Sequence, residues 1–394
     1  MILGVAKESY PDERCVALVP SSVPPLVAAG LEVIVESGAG ERAGHTDDEF
    51  VAKGARLASR AEVFETSDVL VQYRGPGVNL LYGDDDLKLT HPGQVLIGMQ
   101  NPLGNPECVR DMAERGLSVF ALELVPRITR AQSMDVLSSM ATVAGYQAVI
   151  EAAAHLPKLF PLMMTAAGTL KPARVFVVGV GVAGLQAIAT AKRLGAVVEA
   201  YDVRPAVRDQ VTSVGARFVE FDLDTEGAEG AGGYAQEQDD EFIRRQQAQM
   251  KEVVVRNDVV ITTAAIPGKK APVLVTADMV AGMAPGSVII DLAAQHGGNC
   301  ELSDPGEGLV QAHGVTIVCT ADIVSRKPYH ASQMFSKNVE TFLISLMSEG
   351  RIAVDPDDEV ATGTVVCQDG HVVHPRVLEL LGQPPVTEPE RGTA

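Results

Sequence analysis

Short apolar runs, each as long as a typical buried strand, recur along the first third of the chain. They occupy residues 2–6, 33–36, 69–73, 95–99 and 118–121. Between the first two runs, residues 21–29 repeat apolar side chains at helical spacing, with proline near the start of the segment. Because strands alternate with helical or loop segments, this pattern predicts a parallel sheet covered on both faces.

A second series of apolar runs predicts a second sheet. It starts at Val175 and continues through residues 197–202, 217–221, 259–262, 287–291 and 315–318. Ahead of it, residues 133–155 are almost all small or apolar, which is typical of one long helix between domains, and residues 332–347 also have helical spacing. The sequence therefore predicts an α/β protein of two Rossmann-like, doubly wound parallel-sheet domains joined by long helices.

This pattern also sets the expected domain boundaries. We expect a discontinuous first domain, made of residues 1–130 plus 330–381, and a dinucleotide-binding domain over residues 140–325. The remaining segment, residues 382–394, is rich in proline and charge, which predicts a disordered tail.

The most specific motif lies where the second sheet begins. A strand leads into Gly179-x-Gly181-x-x-Gly184, a helical run follows at once, and the next strand ends on Asp202. In a dinucleotide site the first glycine allows a tight turn, the second lets backbone approach the pyrophosphate, and the third lets helix pack on strand. Val182 and Ala183 lie at the helix start, whose N–H groups attract phosphate. A tight turn without a ligand is the alternative.

Asp202 determines which dinucleotide we expect. It follows Gly184 by 18 residues, where a carboxylate accepts both adenine-ribose hydroxyls and repels a 2′-phosphate. That favours NAD(H), with Tyr201 and Val203 beside it as further candidates for contact. Arg204, another candidate, lies with Arg208 close enough to hold a 2′-phosphate instead, and a helix cap is the structural alternative for Asp202.

A second polar cluster opens the long apolar helix, over residues 127–138. Ser133 or Asp135 could serve simply as a helix cap. Capping does not explain Arg127 and Gln132, which at a junction of two domains are well placed to hold a nicotinamide or its ribose.

Two loops complete the candidate site. Residues 224–234 are glycine-rich and acidic and end on Tyr234, which fits either a solvated connection or a lid over the cofactor. Pro267 and Gly268 follow a strand end, where dinucleotide pockets open, although loop geometry alone would also explain them.

Composition narrows the function. A net charge of −19 argues against nucleic-acid binding, and no apolar run reaches the length of a membrane span. Five scattered cysteines indicate a reduced, cytoplasmic protein. The His371-x-x-His374 pair lacks further ligands at zinc-site spacing, so no metal is expected.

These motifs together resemble the soluble NAD(H)-binding component, the alpha subunit or domain I, of proton-translocating NAD(P) transhydrogenases. The resemblance covers residues 1 to about 380 and rests on residues 127–138, 179–187, 201–205, 232–235, 261–269 and 291–300. It implies that Arg127, Gln132, Asp135 and Ser138 surround the nicotinamide of NAD(H). It also implies that Tyr234 closes over the nucleotide and that Gln246, Ala265 and Pro267 line the pocket.

The resemblance further implies a reaction and its partners. Hydride would pass directly between NAD(H) on this chain and NADP(H) on a beta subunit, coupled to proton translocation. The polar tail resembles the split form, with a separate membrane-spanning alpha component. A homodimer, held by its partners on the inner face of the cytoplasmic membrane, is expected.

Alanine dehydrogenases share the opening segment and are the main competing hypothesis. In that family an arginine, a lysine, a histidine and an aspartate handle the substrate. Here Arg14 is kept, Arg74 stands at the lysine, Gln100 or Asn101 at the histidine, and Gln295 at the aspartate. Amino-acid oxidation needs a base, which an amide cannot provide, whereas hydride exchange between two nicotinamides needs none. A module that only senses NAD(H) is a third possibility.

Overall fold

A computed structural model of the protein describes residues 1–223, 240–265, 270–320, 323–348 and 350–384. The chain divides into two compact units. Unit 1 comprises Met1–Met140 together with the chain from Ser325 onward, and unit 2 comprises Ala141–Val324. From residue 385, the predicted tail lies outside the described residues.

The opening section of unit 1 alternates strands with helices, as the apolar runs predict. Its strands are β1 (Ile2–Val5), β2 (Glu32–Glu36), β3 (Arg56–Ala58), β4 (Val69–Arg74), β5 (Val95–Met99) and β6 (Ser118–Ala121). Its helices are α1 (Val23–Ala28), α2 (Asp47–Ala52), α3 (Arg60–Thr66), α4 (Gly83–Leu89) and α5 (Pro106–Glu114).

The long helix α6 (Val136–His155) runs from unit 1 into unit 2. It begins later than the predicted residue 133, because residues Thr129–Met134 form a 3-10 helix. Asp135 then caps α6 by accepting a 2.8 Å hydrogen bond from the backbone N–H of Ser138.

Unit 2 holds the second series of strands and helices. Its strands are β7 (Met163–Thr165), β8 (Gly168–Leu170), β9 (Arg174–Val178), β10 (Val197–Tyr201), β11 (Arg217–Phe218), β12 (Val259–Thr262), β13 (Val288–Asp291), β14 (Leu309–Ala312) and β15 (Val315–Val318). Its helices are α7 (Val182–Arg193), α8 (Arg208–Ser213), α9 (Asp240–Val255) and α10 (Ala277–Gly282).

The chain returns to unit 1 through a 3-10 turn at Val324–Arg326. The remaining helices are α11 (Pro328–Leu346), α12 (Glu359–Thr364) and α13 (Pro375–Leu380). The remaining strands are β16 (Met347–Ser348), β17 (Arg351–Ile352), β18 (Val365–Gln368) and β19 (His371–Val372).

The main sheets of the two units have the same strand order. In unit 1 the parallel strands run β3-β2-β1-β4-β5-β6, and in unit 2 they run β11-β10-β9-β12-β13-β15. Both follow the doubly wound order 3-2-1-4-5-6, which leaves a crevice at the carboxyl ends of the strands where the order reverses. Antiparallel strands extend both sheets: β18 lies beside β6 and is followed by β19, and β14 lies beside β15. The predicted fold class is confirmed.

Both faces of the unit 2 sheet are buried, which explains why its strands read as continuous apolar runs. Val175 and Val177 of β9 belong to one core cluster, whereas Phe176 and Val178 belong to the cluster on the opposite face. Successive strand side chains point to opposite faces, so a strand covered on both sides needs apolar residues at every position.

Candidate functional site

The glycine turn of unit 2 joins β9 to α7 in a conformation that needs glycine. Gly179 has a φ of +94°, a left-handed conformation that residues with a Cβ rarely adopt. A Cβ on Gly184 would overlap the carbonyl oxygen of Gly179, whereas a Cβ on Gly181 would meet none of the described residues within 4 Å. Within the described part of the chain, the turn is therefore tight at Gly184, which packs against strand-end backbone, and open at Gly181.

The amino end of α7 supports the same interpretation. The helix has 12 residues, and its N-cap residue, Gly181, provides no side-chain hydrogen bond to the first turn. The first N–H groups of a helix have no intrahelical acceptor and carry its positive dipole end. Open space at Gly181 and an uncapped helix end together fit a pyrophosphate group.

Asp202 braces this turn and does not cap a helix. It is 8% exposed, and its Oδ2 accepts a 2.7 Å hydrogen bond from the backbone N–H of Val180. Its two oxygens also accept 2.9 Å hydrogen bonds from the guanidinium of Arg204. The carboxylate therefore couples the end of β10 to the turn after β9, which is where a dinucleotide site requires an acid.

Both arginines that could have held a 2′-phosphate are paired with carboxylates. Arg204 forms its fork on Asp202, and Arg208 forms an ion pair with Glu220. A phosphate at either arginine would compete with an existing carboxylate and suffer repulsion from it. The geometry thus strengthens the sequence argument for NAD(H) over NADP(H).

Tyr201 and Gln246, both predicted to contact the cofactor, contact each other. Gln246 is buried and donates a 3.0 Å hydrogen bond from Nε2 to the hydroxyl of Tyr201. Burial raises the pKa of Tyr201 to about 12, so its hydroxyl stays protonated at neutral pH. Tyr201 also packs against Phe221, with ring centroids 4.4 Å apart, and Val203 packs on the same core cluster. These contacts hold α9 against the end of β10.

Thr263 is a site residue that the sequence analysis missed. It directly follows β12, and its hydroxyl donates a 3.0 Å hydrogen bond to the carbonyl of Gly179. A hydroxyl immediately after a short apolar strand was a signal that could have identified it.

Ala265, two residues further, is exposed. Tyr234 and Pro267 lie outside the described residues.

In unit 1, residues 127–138 divide into a structural part and an exposed part. Asp135 accepts hydrogen bonds from both the backbone N–H and the hydroxyl of Ser138, at 2.8 and 2.6 Å, which is the capping role that the sequence left as the alternative for Ser133 or Asp135. Arg127, Gln132 and Ser133 are exposed. The turn that carries them is held by Asn338 of α11, whose amide donates to the carbonyl of Ser133 at 2.7 Å.

The carboxyl edge of the unit 1 sheet contains an ion pair beside the switch point. Arg74, at the end of β4, donates from Nε to the buried Glu13 at 2.6 Å, and its guanidinium lies 4.5 Å from the ring centroid of Tyr10. Arg74 replaces the lysine of alanine dehydrogenases in the resemblance, and here its charge is balanced. Arg14 is exposed.

Gln100 lies at the end of β5 with its side chain fully buried. Neither its Oε1 nor its Nε2 has a hydrogen-bond partner among the described residues. Its backbone N–H donates to Glu123 at 2.7 Å, and the backbone N–H of Asn101 donates to the same carboxylate. Burial raises the pKa of Glu123 to about 7.

Gln295, in unit 2, is exposed on the 3-10 helix Ala294–His296.

The chain is similar to known proteins over most of its length. Residues 4–144 match the family model "Alanine dehydrogenase/PNT, N-terminal domain", and residues 148–375 match "Alanine dehydrogenase/PNT, C-terminal domain". The chain is 48% identical over 379 residues to the first part of the NAD(P) transhydrogenase subunit alpha of Rhodospirillum rubrum, covering 95% of this chain and 98% of that protein.

Two solved structures are similar over nearly the whole chain. The transhydrogenase of Sinorhizobium meliloti has a TM-score of 0.82 at 42% identity and covers 95% of this chain and 99% of that one. An L-alanine dehydrogenase has a TM-score of 0.80 at 25% identity and covers 97% of this chain and 99% of that one. Among the described residues, no helix is both long enough and apolar enough to cross a bilayer.

Proposed function

The chain belongs to the alanine dehydrogenase/PNT family and, within it, to the transhydrogenase alpha subunits, and we propose that it exchanges hydride with a partner subunit. Its cofactor is NAD(H), and its role is that of an oxidoreductase component. In the proposed reaction, hydride passes between NAD(H) on this chain and NADP(H) on a transhydrogenase beta subunit. A separate membrane-spanning alpha component and the beta subunit couple that exchange to proton translocation.

The observation that carries the proposal is the chemistry of Gln100 and Gln295. By the resemblance, Gln100 or its neighbour Asn101 stands at the histidine of alanine dehydrogenases and Gln295 at the aspartate, and an amide neither takes up nor releases a proton near neutral pH. Arg74 is paired with Glu13 at 2.6 Å, so its charge is already balanced and is not free to hold a substrate carboxylate. Hydride exchange between two nicotinamides releases no proton at the reacting carbons and needs none of these groups.

The residues of unit 2 bind the nucleotide. Gly179, Gly181 and Gly184, with the N–H groups of Val182 and Ala183, hold the pyrophosphate. Asp202 holds the adenine ribose, with Tyr201, Val203 and Arg204 around it, and Gln246 supports Tyr201. When bound, NAD(H) supplies or accepts the hydride.

The nicotinamide end is assigned to residues of unit 1 and to two loops. Arg127, Gln132, Ser133, Asp135 and Ser138 position the ring, and none of them acts as an acid or base in the exchange. Ala265, Pro267 and Tyr234 line or cover the pocket. We further propose a homodimer, attached through its partner subunits to the inner face of the cytoplasmic membrane.

An isotope experiment tests the reaction. The purified chain is mixed with the beta subunit and the membrane-spanning alpha component, and NADH deuterated at C4 is supplied with NADP+. We expect NADPH that retains the deuterium, which shows direct transfer without exchange with water. Omission of this chain is the control.

The same preparation distinguishes the competing functions. NAD+ reduction that depends on L-alanine, by the chain alone, would identify an amino-acid dehydrogenase. NADH binding without label transfer in the complete mixture would identify a sensing module. Neither result is compatible with the proposed function.

Replacing Gln132 by Asn tests the positioning role of the exposed residues. A shortened amide should slow hydride transfer more than it weakens NADH binding, because positioning acts on the transition state. Equal losses in transfer rate and NADH affinity would limit Gln132 to binding. Arg130→Lys is the matched control. Arg130 lies on the same turn as Gln132, and lysine keeps a positive charge beside Asp358.

A further inference from the structure

Asn299 is a buried residue whose hydrogen bonds lead directly to the glycine turn. Its side chain is inaccessible to solvent, and it makes the two bonds that a neighbouring strand would make to Ala264. Its Oδ1 accepts from the backbone N–H of Ala264 at 3.0 Å, and its Nδ2 donates to the carbonyl of Ala264 at 2.8 Å. The same Nδ2 donates to the carbonyl of Pro272 at 2.8 Å.

Asn299 is itself held by Asp291, at the end of β13. Oδ2 of Asp291 accepts from the backbone N–H of Asn299 at 2.9 Å and from that of Cys300 at 3.0 Å. Oδ1 of Asp291 accepts from the hydroxyl of Thr262 at 3.1 Å. The carbonyl of Asn299 accepts from Leu274 and Val275. All four polar groups of Asn299 are therefore used, and each is fixed from β12, β13 or the chain between them.

The connection continues from Ala264 to the glycine turn through Thr263. The backbone N–H of Thr263 donates to the carbonyl of Val178 at 2.8 Å, and its hydroxyl donates to the carbonyl of Gly179 at 3.0 Å. An added Cβ on Gly179 would lie 2.6 Å from that hydroxyl and 3.1 Å from the N–H of Ala264. The chain after β12 thus packs directly on the turn.

We infer that Asn299 is a positioning residue for NAD(H) binding, acting through Ala264 and Thr263 on the Gly179–Gly184 turn. The inference rests on the proposed NAD(H) site and deepens it. A buried side-chain amide can satisfy the backbone hydrogen bonds at the end of a strand without a further strand pairing there. The end of that strand then stays open to a ligand. Because Asn299 takes the place of a pairing strand at Ala264, a single side chain sets the position of that backbone.

A pair of buried asparagines allows a matched test. Asn257 lies just before β12, whereas Ala264, the partner of Asn299, lies just after it. Asn257 is also buried, and its amide donates to the carbonyl of Val253 at 2.6 Å. Both Asn299→Ala and Asn257→Ala remove a buried amide from unit 2, so both should lower the melting temperature. Only Asn299→Ala should change the nucleotide site.

The measurement is the NADH affinity of the purified chain, determined by fluorescence titration at a temperature where every variant is folded. We expect Kd for NADH to rise about tenfold in Asn299→Ala and to stay within about twofold of wild type in Asn257→Ala. Equal changes in the two variants, or no change in Asn299→Ala, would overturn the inference while leaving wild-type NADH binding and the proposed function intact. Absence of NADH binding by the wild-type chain would overturn both.

A second pair decides the question if Asn299→Ala does not fold. Thr263→Val keeps the shape of the side chain but removes the hydroxyl that donates to Gly179, and Thr263→Ser restores a hydroxyl. We expect about fivefold weaker NADH binding in Thr263→Val and recovery of most of that loss in Thr263→Ser. Identical affinities in the two variants would contradict the connection between this chain segment and the turn.

Discussion

The carboxyl edges of the two main sheets have the same topology and opposite chemistry. In unit 2 the chain after β9 makes a glycine turn. Among the described residues, this turn has open space at Gly181, and no side chain caps helix α7. In unit 1 the corresponding edge is occupied by larger side chains, among them the Arg74–Glu13 ion pair and the buried Gln100. A shared strand order of 3-2-1-4-5-6 therefore does not determine which edge binds a ligand.

A sheet edge can bind a dinucleotide when side chains leave its backbone N–H groups accessible to the phosphates. Three glycines and small side chains leave backbone N–H groups accessible in unit 2, and the charged Asp202 and Arg204 neutralise each other beside the turn. In unit 1, Glu123 satisfies the backbone N–H groups of Gln100 and Asn101 at the end of β5. Those amides cannot also hold a phosphate.

The largest effects are expected from adding single methyl groups to the turn of unit 2. In Gly184→Ala the new Cβ overlaps the carbonyl oxygen of Gly179, so the backbone must shift. We expect a loss of about 1–3 kcal/mol in the free energy of unfolding and at least about a hundredfold weaker NADH binding, on the order of 2.7 kcal/mol. Thermal unfolding and NADH titration measure the two.

Gly181→Ala is the matched control for that variant. Its Cβ enters open space, so stability should change by less than about 1 kcal/mol, while NADH binding weakens about tenfold because the methyl group occupies the path to the phosphates. Unchanged NADH affinity in Gly181→Ala would show that the open side of the turn is not the binding side.

The next largest effect concerns nucleotide preference. Asp202→Asn keeps an acceptor for the Val180 N–H but removes the carboxylate charge that pairs with the Arg204 guanidinium. We expect the ratio of NADPH to NADH dissociation constants to fall at least about tenfold, a change of about 1.4 kcal/mol. Asp209→Asn removes the same charge from the neighbouring helix α8, and an equal shift there would indicate a general charge effect.

A pH dependence of stability, separate from nucleotide binding, is expected from unit 1. The pKa of Glu123 is about 7 in the folded protein, raised by burial from an ordinary 4.5. The folded state therefore binds this proton more tightly than the unfolded state, so the contribution to stability is complete below pH 4.5 and is lost as pH rises through 7. Denaturant unfolding should show a decrease on the order of 3 kcal/mol across this range.

Glu123→Gln removes the titration and keeps an acceptor for the backbone N–H groups of Gln100 and Asn101, just after β5. Its stability should vary less with pH than that of wild type over the same interval. NADH affinity of the variant should match wild type at each pH. A changed affinity would mean that Glu123, at the end of β5, contributes to nucleotide binding.

The smallest effect is expected at Gln100. Its amide has no hydrogen-bond partner among the described residues, so replacing it by Met removes an unsatisfied buried group and keeps the volume. We expect stability within about 1 kcal/mol of wild type and an unchanged rate of hydride exchange with the partner subunits. A slower exchange would place Gln100 in the reaction.

Much of this could be predicted from the sequence because the relevant signals are local. Strand positions follow from runs of apolar residues, and the turn follows from glycines at fixed spacing between a strand and a helix. The cap at Asp135 also follows from three-residue spacing to Ser138. In contrast, the start of α6 at Val136 was missed by three residues, because the preceding 3-10 helix continues the same run of small and apolar side chains.

Contacts between residues far apart in the chain could not be predicted. Nothing in the spacing indicated that Arg208 pairs with Glu220, that Thr263 donates to Gly179, or that the Gln100 amide has no partner among the described residues. Whether an arginine is available to a phosphate depends on which carboxylate folding brings beside it. Periodicity carries no information about such pairs.

The sequence by itself determined the fold class, the dinucleotide turn and the absence of titratable groups at Gln100 and Gln295, since each depends on residue type and short-range order. Only the tertiary structure decided which side chains neutralise each other and which backbone is left open. Asn299 illustrates the reason: it lies 35 residues from Ala264, and only the parallel packing of β12 against β13 places its amide on that strand end.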